Sequence, residues 1–192
     1  MQKLKPKIEA NYPRSVKLDS DTLTLRLMTA DDSERMLQFA RDLPPEDLLF
    51  LRMDVTKPEG IQQWVNNIKG GQTVSVLADI NGEIAGYASL HHNEVSWQRH
   101  LGEIRLQVSQ RHRSRGLGRI LASEVFQVAR ELGLRKVVAQ MTPDQKGATA
   151  TFERLGFQPE ALLQDFVIDR GQRTRDLVVM SYDMTGLTDR VD

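Results

Sequence analysis

The sequence predicts a single mixed α/β domain. Short runs with apolar residues at every second position point to strands. Longer runs with a 3.6-residue period point to helices, and the two kinds interleave along the chain. The 192 residues, 40% hydrophobic and 27% charged, are enough for one domain with its own core. No internal repeat, low-complexity tract or linker divides them. Residues 1–14 are polar and read as a loosely held segment, residues 15–184 as the domain, and residues 185–192 as a tail.

Ser15 to Leu18 and Leu23 to Met28 read as short strands around the turn residues Asp19, Ser20 and Asp21. Thr29 then caps a helix through about Leu43, with Asp31 and Asp32 in its first turn and Pro44–Pro45 at its end. A second helical stretch starts near Pro45, and a third runs from Pro58 to Gly70–Gly71. Thr73 to Ile80 and Ile84 to Leu90 form a hairpin over Asn81–Gly82. From Gly102 to Ser109, Ile104, Leu106 and Val108 alternate with Glu103, Arg105 and Gln107, which gives a strand with one polar face. Leu117 to Leu132 is an amphipathic helix with Gly133 as C-cap. Lys136 to Met141 is a strand, and Ala148 to Leu155 a helix stopped by Gly156. Leu163 to Asp169 and Thr174 to Tyr182 close the chain as a hairpin. The order is roughly β-α-α-β-β-β-α-β-α-β-β.

Composition excludes several classes. With no cysteine there is no disulfide framework, thiolate nucleophile or cysteine metal site. No apolar run approaches the ~20 residues of a membrane span. The N-terminal residues are basic but lack an apolar core, so they do not read as a secretory signal, and a cytoplasmic location is expected. The 26 Lys and Arg balance the 26 Asp and Glu, which leaves no global field for nucleic acid or an anionic membrane; neither is expected as a partner. Local charge is less even: Arg105, Arg111, His112, Arg113, Arg115 and Arg119 occur with no acid among them.

That basic run leads into Arg113-Ser114-Arg115-Gly116-Leu117-Gly118-Arg119 at the start of the long helix. A strand, a glycine turn and a helix N-terminus make an anion site, because unpaired amides point outward and the helix dipole adds positive charge. Glycine lets the backbone approach phosphate oxygens, and arginine supplies countercharge. The Walker pattern is absent, and Leu121 replaces the third glycine of the dinucleotide fingerprint. By itself a Gly-x-Gly pair is also what any tight strand-to-helix turn would use.

Arg113 to Gly118 resembles the Arg/Gln-x-x-Gly-x-Gly/Ala signature of the GNAT (GCN5-related N-acetyltransferase) superfamily. Ala148-Thr-Ala-Thr-Phe152-Glu-Arg-Leu-Gly156-Phe157 resembles the helix-to-strand segment of the same superfamily. The resemblance covers about residues 15 to 184. It implies the acyl-CoA N-acyltransferase fold, a central, mostly antiparallel sheet of about seven strands flanked by helices. It further implies that the amides from Ser114 to Arg119 cradle the pyrophosphate of acetyl-CoA. Pantetheine would pair with the backbone of Leu106, Gln107 and Val108, and an amide near Val108 would meet the oxyanion. Arg111, Arg113 or Arg119 would meet the 3′-phosphate, and Gln145 and Phe152 stand where the family contacts the cofactor.

Acetyl transfer to an amine needs a neutral nitrogen and a route for one proton. Glu103 is the candidate general base. It lies ten residues before Arg113, the offset of the glutamate base in the lysine-acetyltransferase branches. The Leu43-Pro-Pro-Glu-Asp-Leu48 segment also resembles bacterial protein-lysine acetyltransferases. A strand glutamate is otherwise simply solvent-facing. Phe152 lacks the hydroxyl that many members use to protonate the departing thiolate, leaving Tyr87 and Tyr182 as unplaced candidates. The expected reaction is direct attack in a ternary complex on a protein lysine, a polyamine or another small amine. A non-catalytic acyl-CoA-binding domain is the alternative. Glu46, Asp47 and Asp54 would favour a cationic acceptor, or line a solvated helix face. No metal is expected, since the adjacent His91 and His92 point to opposite sides of a strand. Trp64 suits packing, and Trp97 either lines the acceptor pocket or covers the core. A homodimer is compatible with the family, though no interface declares itself.

Overall fold

The computed structural model describes residues 6–48, 53–95, 97–169 and 171–185. Alternating side chains build one eight-stranded sheet, β1 (Arg14–Leu18), β2 (Asp21–Leu27), β3 (Thr73–Ile80), β4 (Glu83–His92), β5 (Leu101–Val108), β6 (Lys136–Met141), β7 (Gln158–Ile168) and β8 (Thr174–Asp183). Their spatial order is β1-β2-β3-β4-β5-β6-β8-β7. Among the described residues every neighbouring pair is antiparallel except β5 and β6. The opening segment is a hairpin of two paired strands, which brings the sheet to eight rather than about seven. The Asn81–Gly82 turn has φ of 50° and 83°, the positive pair a two-residue hairpin requires.

Helices cover both faces. The apolar stripe of α4 (Leu117–Leu132) lies on one face, where Leu121, Val125 and Ala129 meet Val76, Leu90, Ile104 and Val108. On the other face Met36 and Phe39 of α2 (Ser33–Arg41) and Ile61 and Trp64 of α3 (Pro58–Lys69) pack with Leu77 and Tyr87. The Trp64 indole donates to Ser75 at 2.9 Å, so this tryptophan belongs to the core. The helix expected from Thr29 to Leu43 is a 3-10 turn at Ala30–Asp32 followed by α2. No helix among the described residues is long and apolar enough to cross a membrane.

Three further segments differ from the sequence reading. Residues 6–14, expected to be loose, carry α1 (Pro6–Glu9), whose Ile8 is 1% exposed in the core. A four-residue helix is too short to show a period; tertiary burial holds it. The strand expected from Leu163 begins instead at Gln158, because Pro159 is tolerated on β7, an edge strand. The helix between β6 and β7, α5 (Lys146–Arg154), starts two residues earlier than expected.

Candidate active site

The β5–β6 pairing covers three residues, Leu101 with Lys136, Gly102 with Val137 and Glu103 with Val138. Beyond Glu103 the strands part, while β5 stays paired to β4 through Val108. The Ser109 amide donates to the Ala85 carbonyl at 2.9 Å. By strand alternation the backbone groups of residues 103, 105 and 107 then face β4, and those of 104, 106 and 108 face the opening. Of the three residues expected to pair with pantetheine, Leu106 and Val108 turn their backbone to the gap and Gln107 turns its backbone to β4. The Gln107 side chain donates instead to the Asp47 carbonyl at 2.8 Å.

The glycine turn stands at the mouth of this opening. Ser114 and Gly116 take φ of 61° and 85°, and Gly116 is the N-cap of α4. Regular helical bonding starts with Arg119 and Ile120, whose amides reach the Gly116 carbonyl at 3.1 and 3.2 Å. The amides just before them lie where a helix start has no carbonyl to offer. No acid lies in the first turn of α4, so nothing on that turn competes with an anion. The arginines, however, are not equivalent. Arg113 donates to the Val108 carbonyl at 3.1 Å and pairs with Asp47. Arg115 holds Asp19 at 3.0 Å and Asp21 at 2.7 Å, tying the turn to the first hairpin. Arg111 lies 3.7 Å from Glu83. Arg119 is exposed and has no side-chain partner among the described residues.

Glu103, at the last paired position of β5, points away from α4 into a cavity of about 460 Å³ under α3. His91, Thr73, Asn67, Gln140 and Arg105 share its wall. The Arg105 Nε and Nη2 donate to Glu103 Oε1 at 3.1 and 2.8 Å, with the two side chains 14% and 11% exposed. Thr73 and His91 are joined at 2.9 Å. The site therefore has a glycine turn at a helix start at one end, two parting strand edges in the middle, and a carboxylate on a polar cavity at the apex.

The acetyltransferase (GNAT) family model matches residues 34–157, well over half of the chain. The chain belongs to the GNAT acetyltransferase family. It is an acyltransferase, and the family uses acetyl-CoA. YwnH of Bacillus subtilis (strain 168), provisionally described as a phosphinothricin acetyltransferase, is 22% identical over 165 residues, covering 85% of this chain and all of YwnH. The GNAT domain of S. lividans PAT superposes with a TM-score of 0.74 at 21% identity, over 91% of this chain and 98% of that one. YncA from Salmonella typhimurium, solved with its cofactor acetyl-CoA, gives 0.71 at 20%, over 88% and 96%. At these identities the structural likeness establishes the fold.

The remaining expected residues of this GNAT chain are placed as follows. Leu117, the first residue of α4, is buried in the core, and Gly118 lies against Leu106 and Val108. Gln145 caps α5, its Oε1 accepting from the Thr142 amide at 3.1 Å. Phe152 is 9% exposed and packs edge-on against Phe157, so it is a core ring. The two tyrosines lie in aromatic clusters on opposite faces of the sheet. Tyr87 is buried between Phe39 and Trp64, and burial pushes its phenol up to about 12. Tyr182 packs at a tilt against Phe126 and Phe157 on the α4 face. Trp97 is 88% exposed, and its loop contributes Asn93 and Gln98 to the cavity instead. His91 and His92 both border the cavity at the strand end, and no metal-binding cluster is found among the described residues. Asp47 pairs with Arg113, while Asp54 caps the Thr56 amide at 3.1 Å, so neither opens a cationic subsite at the cavity. The sequence reading missed the Asp47–Arg113 pair and the His91–Thr73 contact, both long-range in sequence. Arg105 was legible as a neighbour of Glu103, being two residues on along the same strand face.

Proposed function

We propose that the chain transfers an acetyl group from acetyl-CoA to a primary amine by direct attack in a ternary complex, with Glu103 as general base. The observation that carries this reading is the position of Glu103 at the apex of the β5–β6 opening, facing a polar cavity. Acetyl-CoA supplies the thioester carbonyl. The Arg119 side chain and the amides from Ser114 to Gly118 hold its phosphates, and the edge of Leu106 and Val108 aligns the pantetheine arm. The Val108 amide faces the gap and serves as the oxyanion donor. Glu103 takes the proton from the attacking nitrogen, directly or through one water, as the N–C bond forms and the C–S bond breaks.

Purified protein incubated with acetyl-CoA and an amine panel should release CoA thiol. Glu103→Gln should lower kcat by about a hundredfold or more near neutral pH while acetyl-CoA affinity, read by calorimetry, is retained. An unchanged rate in Glu103→Gln assigns the base elsewhere, and CoA binding with no turnover on any amine supports the non-catalytic alternative.

A further inference from the structure

Glu103 belongs to a row of residues that runs across the sheet. Thr73 of β3 is opposite His91 of β4, His91 is opposite Glu103 of β5, and Glu103 is opposite Val138 of β6. Residues so opposed share one face of the sheet, and across an antiparallel pair their Cβ atoms lie about 5 Å apart. All four border the cavity. His91 is thus the cross-strand neighbour of the carboxylate, and imidazole is the side chain that changes charge near neutral pH.

The partner of the ring matters. Nδ1 of His91 meets Oγ1 of Thr73 at 2.9 Å, and Thr73 is 1% exposed, which fixes that side of the imidazole. A hydroxyl donates to a neutral Nδ1 and accepts from a protonated one, so this bond survives both charge states of the ring. A carboxylate in its place would favour the imidazolium, and a guanidinium the neutral ring. Among the described residues, the other charged or titratable side chains on the cavity are His92 of β4 and Glu103 and Arg105 of β5. Amide, hydroxyl and aliphatic groups come from α3, β3, β6 and the loop after β4. Arg105 grips Oε1 of Glu103 from the same strand, and His91 stands on the next one.

An alkylammonium loses two protons on becoming an amide; one ends on the CoA sulfur and the other in solvent. A carboxyl group of pKa about 4.3 draws a proton from an ammonium of about 10.4 against a gap of about six units. An imidazole of about 6.5 does so against about four. Passing the proton on from carboxylate to imidazole therefore raises the share of neutral amine about a hundredfold.

We propose that His91 is the second proton carrier of this site. Its Nε2 takes the proton that Glu103 removes from the acceptor, and the half-buried ring delivers it to solvent. The inference rests on the acetyl-transfer reading above. In each turnover the N–C bond forms, the C–S bond breaks and the thiolate takes one proton. The other passes from Glu103 to His91 and out. His91 acts through Glu103 and touches neither the thioester nor the attacking nitrogen.

The test uses the full-length protein, acetyl-CoA and the best acceptor of an alkylamine panel. His91→Gln keeps an amide that can hold Thr73 but cannot carry a proton. It should lower kcat about tenfold or more near neutral pH, with the KM for acetyl-CoA and the melting temperature close to those of the parent. The deficit should narrow as pH climbs towards the pKa of the amine, where the nitrogen is already neutral. Added imidazole should restore part of the rate. Full activity in His91→Gln overturns the inference, as does a deficit equal at every pH and unmoved by imidazole, which would make His91 a packing residue. Glu103→Gln measured alongside separates the two readings. A slow Glu103→Gln with a fast His91→Gln removes the relay alone. An unimpaired Glu103→Gln, or a parent with no turnover, removes the base and the relay with it.

Discussion

Gly116 and Gly118 stand two residues apart in one turn and answer to different demands. At Gly116 an added Cβ would meet nothing within 4 Å, so space is no objection; the objection is φ at +85°. Alanine there should cost about 1–2 kcal/mol of backbone strain. Gly118 is inside α4, and its Cβ would sit 3.7 Å from Leu106 and 3.9 Å from Val108, ordinary contact distances. Alanine there should gain about 0.5–1 kcal/mol of helix propensity. Thermal unfolding without ligand should therefore show Gly116→Ala melting below the parent and Gly118→Ala at or above it. Equal losses would mean that both glycines serve the fold. Glu103 and Arg105 show the same separation of roles at the apex, where a carboxylate is aimed at the cavity by the guanidinium beside it.

At the scale of elements, the alternation of Ile104, Leu106 and Val108 with Glu103, Arg105 and Gln107 made β5 and its polar face legible from the amino-acid order alone. Asn81–Gly82 did the same for the central hairpin. The opening between β5 and β6 was expected only through family resemblance, since no local pattern says where a parallel pairing stops. The roles of the arginines were not legible, because Asp47 lies 66 residues from Arg113 and Asp21 lies 94 from Arg115. These partners divide the basic run into structural and available charges. Arg113→Gln should lower the melting temperature of the free protein, since it unties the Pro45–Leu48 turn from the Val108 carbonyl. Arg119→Gln should leave that melting temperature in place and weaken acetyl-CoA by roughly threefold to tenfold, an effect that shrinks as salt rises. Thermal shift with and without acetyl-CoA at two salt concentrations separates the two, and loss of ligand stabilisation in Arg113→Gln alone would reverse the assignment.

Across the whole molecule, the first hairpin is pinned to the body by two polar clusters that respond to opposite ends of the pH scale. Arg26 bridges Asp32, at 2.6 and 2.8 Å, and Asp79, at 2.6 Å, with Arg35 adding a bond to Asp79 at 3.1 Å. Burial works against the Asp32 carboxylate, but the Arg26 hydrogen bonds, the Thr29 amide and the nearby arginine charges outweigh it and hold its pKa below the usual value. The unfolded chain then takes up that proton first, near pH 3.9, so this stability is present above about pH 4 and lost as pH falls below it. Asp32→Asn should make the acid limb of stability shallower. At the other end, Tyr12 donates to the buried Glu124 at 2.9 Å, with Arg14 paired to the same carboxylate. Burial first, then the Glu124 charge and hydrogen bond, raise the phenol well above its ordinary value near 10. The unfolded chain loses that proton first as pH climbs past about 10, so stability contributed there is full below that pH and drains above it. Tyr12→Phe has no phenol to ionise and leaves Glu124 one donor short. Urea titrations across pH should then show the variant less stable than the parent near neutrality, with the gap narrowing above pH 10; a constant gap would mean that Tyr12 contributes packing alone.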